Sequence, residues 1–141
     1  GLGDVYKRQG RVLPEIPKKI GRLQNITVTN VVGEGNGLQG SLISGIPEMP
    51  VENLTFDNIR LHSCGGGNQS LVTRNVPVRV GYPDAQDFCR DGLPSYGMFI
   101  RYARNVALKG FSVTPLYKDN RPIIVLKDGV SNISIFNNVD Q

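Results

Sequence analysis

The sequence predicts an all-β chain folded as a solenoid of the β-helix kind, on three observations. A nine-residue unit, first met at residues 23–31, returns at 51–59, 103–111 and 130–138. The leading Asn of each copy (Asn25, Asn53, Asn105 and Asn132) sets the spacing at 28, 52 and 27 residues. A fixed period in the twenties, with one strand-like unit per copy, marks repeats that stack on one another. Second, the residues one and three places after that Asn are apolar: Ile26 and Val28, Leu54 and Phe56, Val106 and Leu108, Ile133 and Ile135. Thr27, Thr55, Ala107 and Ser134 stand between them, a period-two alternation that gives one buried and one wet face. Third, no window of useful length carries a 3.6-residue apolar period, so almost no helix is expected.

Stacking strands about 4.8 Å apart places each apolar position over its equivalent in the next copy. Val31, Ile59 and Phe111 extend the apolar face, and Asn138 breaks it. The Asn column sits where the chain turns a corner, because Asn tolerates left-handed backbone and bonds local peptide groups. Stacked amides also bond to one another from copy to copy, so Asn25, Asn53, Asn105 and Asn132 read as a structural ladder in preference to a binding site. A second column, Asn30, Asn58, Gly110 and Asn137, marks the next corner, with Gly filling the same conformational role.

Taken in order, residues 4–9 (Asp-Val-Tyr-Lys-Arg-Gln) resemble the translated end of an adaptor used to prepare sequencing libraries. Residues 1–9 are therefore set apart from the fold, and natural sequence is expected from about Gly10, as a fragment of a longer protein. Residues 10–21 read as a loop entering the first copy. Residues 33–37, Gly-Glu-Gly-Asn-Gly, form a turn, since a phosphate-cradling role needs a helix to follow. Short strands precede the later copies: Leu42-Ile43, Met98-Phe99-Ile100 and Ile123-Ile124-Val125-Leu126. The double-length gap between Asn53 and Asn105 suggests one hidden or distorted coil, for about four to five coils in all. It holds an excursion at about residues 64–95, with residues 76–80 as a strand inside it and Cys64 and Cys89 as a candidate disulfide.

Composition bounds the function classes. At 141 residues there is room for one domain or part of one, and 39% hydrophobic residues exclude a disordered chain. No apolar run approaches a membrane span and no signal peptide is visible. The net charge of +4 is spread without a basic, aromatic-interleaved stripe, so nucleic acid is not an expected partner.

Residues 45–59, with Pro47-Glu48-Met49-Pro50-Val51-Glu52-Asn53, resemble the C-terminal coils of glycoside hydrolase family 28, the polygalacturonase and rhamnogalacturonase group. Residues 81–84 (Gly-Tyr-Pro-Asp) and 92–101 (Gly-Leu-Pro-Ser-Tyr-Gly-Met-Phe-Ile-Arg) are similar to the loop and strand that follow in bacterial members. The resemblance covers roughly residues 20–138. It departs at Tyr102, where many relatives carry His, and at Phe88-Cys89 in place of Phe-Gly. It implies a right-handed parallel β-helix of the pectin-lyase-like kind and inverting hydrolysis of galacturonic-acid-containing pectin. Export to the extracellular space or periplasm, and a monomeric full-length protein without cofactor, go with it.

An inverting site needs two carboxyl groups about 6.5–9.5 Å apart. The family's Asn-Thr-Asp, Asp-Asp, Gly-His-Gly and Arg-x-Lys motifs are missing from this chain, so no catalytic residue is assigned in it. His62 is the only histidine and is not flanked by glycines. Asp84, Asp87 and Asp91 cluster in the excursion as solvated loop acids, and no metal site is expected. For contact with a polysaccharide the candidates are Tyr82, Arg101 and Tyr102, since Arg pairs with a sugar carboxylate and Tyr stacks on a ring. The alternative from another class is a non-catalytic β-helix that binds, as an adhesin or tail-spike module does.

Overall fold

The computed structural model describes residues 21–35, 38–78 and 92–136. Seven strands follow in chain order: β1 (Gln24–Gly35), β2 (Ser41–Ser44), β3 (Val51–Gly65), β4 (Met98–Arg101), β5 (Ala103–Tyr117), β6 (Ile124–Leu126) and β7 (Val130–Phe136). A single 3-10 turn, Gln69–Thr73, is the helical content among the described residues. The odd-numbered strands form one sheet in the order β1-β3-β5-β7, and the even-numbered strands form a second in the order β2-β4-β6. Every pairing within the two sheets is parallel. The chain is all-β and visits the two sheets alternately.

The register follows the repeat. Ile26 pairs with Leu54, Leu54 with Val106, and Val106 with Ile133, so the Asn spacings of the sequence are the strand offsets of the first sheet. Each strand runs on past both Asn columns, with the Asn positions themselves skipped in the register, where separate strands on either side of a corner were expected. Left-handed residues make this possible. Asn25, Asn30, Asn53, Asn58, Asn105 and Asn132 have φ between 54° and 59°, and Gly110 has φ 62°. Each bends its strand at a position that most side chains enter with difficulty.

The apolar columns meet in one core. Leu54, Ile59, Val106, Leu108 and Phe111 of the first sheet pack with Ile43, Met98 and Ile100 of the second. Ile26, Val28, Val31, Phe56 and Ile133 join at its margin. Ile135 does not; it is 41% exposed, on β7, an outer strand of the sheet among the described residues. The second sheet is covered on its other side as well. Phe99 packs there with Val76 and Leu93, beside Leu42 and Val125, so all four residues of β4 are buried.

Two expectations about the excursion need correction. β3 lies directly against β5 along twelve register pairs, which leaves no place between them for a hidden coil. Of the two readings of that gap, hidden coil or distortion, only the first is excluded; Val76 and Leu93, described residues of the gap, pack against Phe99 of β4. Residues 76–78, the described part of the expected inner strand, are not strand; Val76 is used as a core contact instead. Residues 1–9, Tyr82, Asp84, Asp87, Cys89, Asp91, Asn137 and Asn138 lie outside the described residues.

Candidate functional site

The longest-reaching side chains gather where the excursion meets the second sheet. Residues alternate along β4, so Arg101 shares with Phe99 the face turned toward the excursion. Its guanidinium carbon stands 5.8 Å from the Phe99 ring centroid. Arg101 is 4% exposed. Nε donates to Ser44 Oγ at 2.8 Å, Nη1 to Val76 O at 2.6 Å and Nη2 to Pro77 O at 2.8 Å. These bonds tie the excursion to β2 and β4. Singled out in the sequence for substrate contact, the side chain is turned inward as a clamp. A cavity of about 230 Å3 adjoins it, lined in part by Arg74, Phe99, Arg101, Lys127 and Asp128.

Tyr102 follows at the corner between β4 and β5. It is half-buried with φ 48°, a strained conformation for an aromatic residue. Backbone bonds hold it there: its N–H donates to Asp128 O at 2.8 Å, and its carbonyl accepts from Val51 N at 2.9 Å. The ring lies over Gly129, where a Cβ would stand 3.0 Å from Cε1, so only Gly fits beneath it. Arg101 and Tyr102 therefore meet beside Asp128, and Tyr82, the third candidate, lies outside the described residues.

The ladder is built as hydrogen bonds. Asn53 Nδ2 donates to Asn25 Oδ1 at 2.8 Å, Asn105 to Asn53 at 2.9 Å and Asn132 to Asn105 at 2.7 Å. In the second column Asn58 Nδ2 donates to Asn30 Oδ1 at 3.0 Å. Gly110 has no amide to continue it, and Asn58 Oδ1 accepts from Arg60 Nε at 3.2 Å instead.

Among the described residues no two carboxylates stand as an acid and base pair by strand stacking. Asp57 is in register with Thr29 and Lys109. Glu52 sits 3.8 Å from Arg104 on the surface. Asp119 is committed to a buried pair that the sequence does not announce. Its carboxylate accepts from Arg121 Nε at 2.9 Å, Arg121 Nη2 at 2.7 Å, Arg121 N at 3.0 Å and Gly67 N at 3.0 Å. Arg121 Nη1 continues to Leu38 O at 2.8 Å and Leu93 O at 2.9 Å. Burial by itself pushes the Asp119 carboxyl up. Hydrogen bonds from the Arg121 side chain and from the Arg121 and Gly67 backbones, together with the guanidinium charge, outweigh burial and hold the pKa below the ordinary carboxylate value. Arg121 and Arg101 are thus two buried cations that fasten loops to the sheets.

His62 is exposed and in register with Glu34 and Thr114, at the rim of a shallow depression of about 410 Å3 that also touches Cys64. Among the described residues no group of His, Cys, Asp and Glu is arranged to hold a metal ion. Cys64 is half-buried and forms no disulfide among the described residues; Cys89 is not one of them. Among the described residues no helix is long and apolar enough to cross a membrane. Comparison of the chain with protein-family models, curated proteins and solved structures returns no match.

Proposed function

We propose that residues 10–141 are part of a right-handed parallel β-helix, the C-terminal part of a glycoside hydrolase that cleaves galacturonic-acid-containing pectin with inversion. The observation that carries this reading is the alternation of strands between two parallel sheets, locked by a chain of Asn amides. Such a stack is rigid and open along its sides, the shape a long polymer can lie against. The resembling stretch at residues 92–101 runs into β4, where Arg101 anchors the excursion to the sheet. In this reading the acid and base carboxylates belong to sequence outside this chain, and the protein works where its polymer is, outside the cytoplasm, as a monomer.

The test is to recover the full gene and assay its product on polygalacturonate and rhamnogalacturonan by reducing-end release. Release that vanishes on replacing an upstream Asp pair supports the hydrolase. The second reading, a non-catalytic binding scaffold, is supported by Asp57, which stacks between Thr29 and Lys109 and not against another acid. It predicts retention of the full-length protein on a polysaccharide column without any release of reducing ends.

A further inference from the structure

We infer that the cavity beside Arg101 is a subsite for one uronate unit, a sugar that carries a carboxylate next to hydroxyls. That the unit belongs to a pectin chain rests on the function proposed above; the chemistry of the cavity stands by itself. Residues 74–78, Lys127 and Asp128 line it together with Phe99 and Arg101. At about 230 Å3 it is smaller than the pockets of drug-sized ligands, which begin near about 300 Å3, and suits a single small ring. Both lining segments are fixed to β4. Arg101 holds the Val76 and Pro77 carbonyls. Lys127 N–H donates to Ile100 O at 2.9 Å, and Asp128 O accepts from Tyr102 N at 2.8 Å. A ligand therefore meets walls already in place, and little ordering is left to oppose binding.

Three polar side chains in this lining are unengaged. Among the described residues, those of Asn75, Lys127 and Asp128 make no hydrogen bond and no ion pair. All three residues are exposed, so a ligand reaches them from solvent. The combination selects the ligand. An ammonium pairs with a carboxylate, a carboxylate accepts from hydroxyls, and an amide both donates and accepts. A neutral sugar leaves Lys127 without an anion, and inorganic phosphate sets its charge against Asp128. A uronate answers all three groups. The sequence singled out Arg101 for the sugar carboxylate; here Lys127 takes that role, and Arg101 builds the wall.

The test titrates the isotope-labelled 141-residue chain with trigalacturonate, galactotriose and inorganic phosphate, and follows the NMR amide signals of Asn75, Val76, Lys127 and Asp128. The expected result is saturable shifts of these signals with trigalacturonate alone, a comparison that needs no variant. Lys127→Met then raises Kd about tenfold or more, the weight of one charge-assisted bond. Asp128→Ala also raises it, although it removes a charge of the ligand's own sign; a long-range field alone would lower Kd. Unmoved signals of β3 and β5 show that each variant is folded. No shift with trigalacturonate overturns the inference. So do equal shifts with galactotriose or phosphate, or a Kd that either variant leaves unchanged or lowers. Hydrolysis by the full-length product with these signals unmoved removes the subsite alone. Saturable binding without hydrolysis keeps the subsite and removes the hydrolase.

Discussion

Replacing Asp119 by Ala tests how much the buried pair contributes. The carboxylate and the guanidinium are 0% and 1% exposed as side chains, so water cannot take over from either partner. Removal leaves the Arg121 charge buried and also strands the N–H groups of Gly67 and Arg121. Breaking a buried pair by deleting one partner destabilises by about 3–5 kcal/mol. At about 3–4 °C per kcal/mol for a chain of this size, Tm drops by roughly 10–20 °C. The chain has no Trp, so urea unfolding is followed by far-UV circular dichroism, and an unchanged m-value confirms that the midpoint shift reports stability. Arg121→Met should cost a similar amount, and the double variant less than the sum, because the second deletion removes the charge that the first left unpaired. A loss below about 1 kcal/mol for Asp119→Ala would refute the reasoning, since surface ion pairs lie in that range. The pH dependence has a definite sign. The folded pKa of Asp119 is depressed, so its contribution is complete above the unfolded value of about 3.9 and is lost as pH falls through the folded value. Asp119→Asn lacks that acid-side loss.

Substitutions at three further positions probe other contacts. Gly67→Ala puts a methyl group into the Arg121 guanidinium and against Asp119 Oδ1; thermal melts should show a loss of about 1–3 kcal/mol by overpacking. At Asn53, which has φ 59° and bonds on both sides, Ala should be worse than Gly by about 1 kcal/mol, because Gly loses the amide bonds without the left-handed strain. Equal effects from Ala and Gly in urea melts would remove backbone geometry from the account. Arg101→Met frees the Val76 and Pro77 carbonyls and should speed tryptic cleavage after Arg74 by about tenfold or more, each charge-assisted bond lost weighing about 1.5–3 kcal/mol.

The stacking order was legible because it is written in side chains. Ile26, Leu54, Val106 and Ile133 announce one column, and the Asn spacings became the strand offsets. The short strands were visible for the same reason, as apolar runs ahead of each copy. What escaped the sequence is carried by peptide groups. Arg121 reaches the carbonyls of Leu38 and Leu93, and Arg101 those of Val76 and Pro77, and a carbonyl looks the same beneath any residue. Asp119 and Arg121, two residues apart, gave no sign that both would be buried. Tyr102 was read by its ring, whereas its left-handed backbone is set by bonds to Asp128 and Val51. The hidden coil was inferred from a spacing alone, and spacing does not separate a second turn of chain from an insertion that distorts one.

Arg121 also changes how the molecule comes apart. A row of strands in which each touches only the strand before and the strand after would open like a zip, from either end and one tooth at a time. Arg121 follows β5, yet it grips Leu38, which lies between β1 and β2, and through Asp119 it grips Gly67 beyond β3. That single side chain is a rivet through three layers, so β1, β3 and β5 have to let go together. Strand β7 lies beyond the rivet and is left free to peel. Amide exchange should therefore divide the sheet into one slow block and one fast edge, with the boundary between β5 and β7.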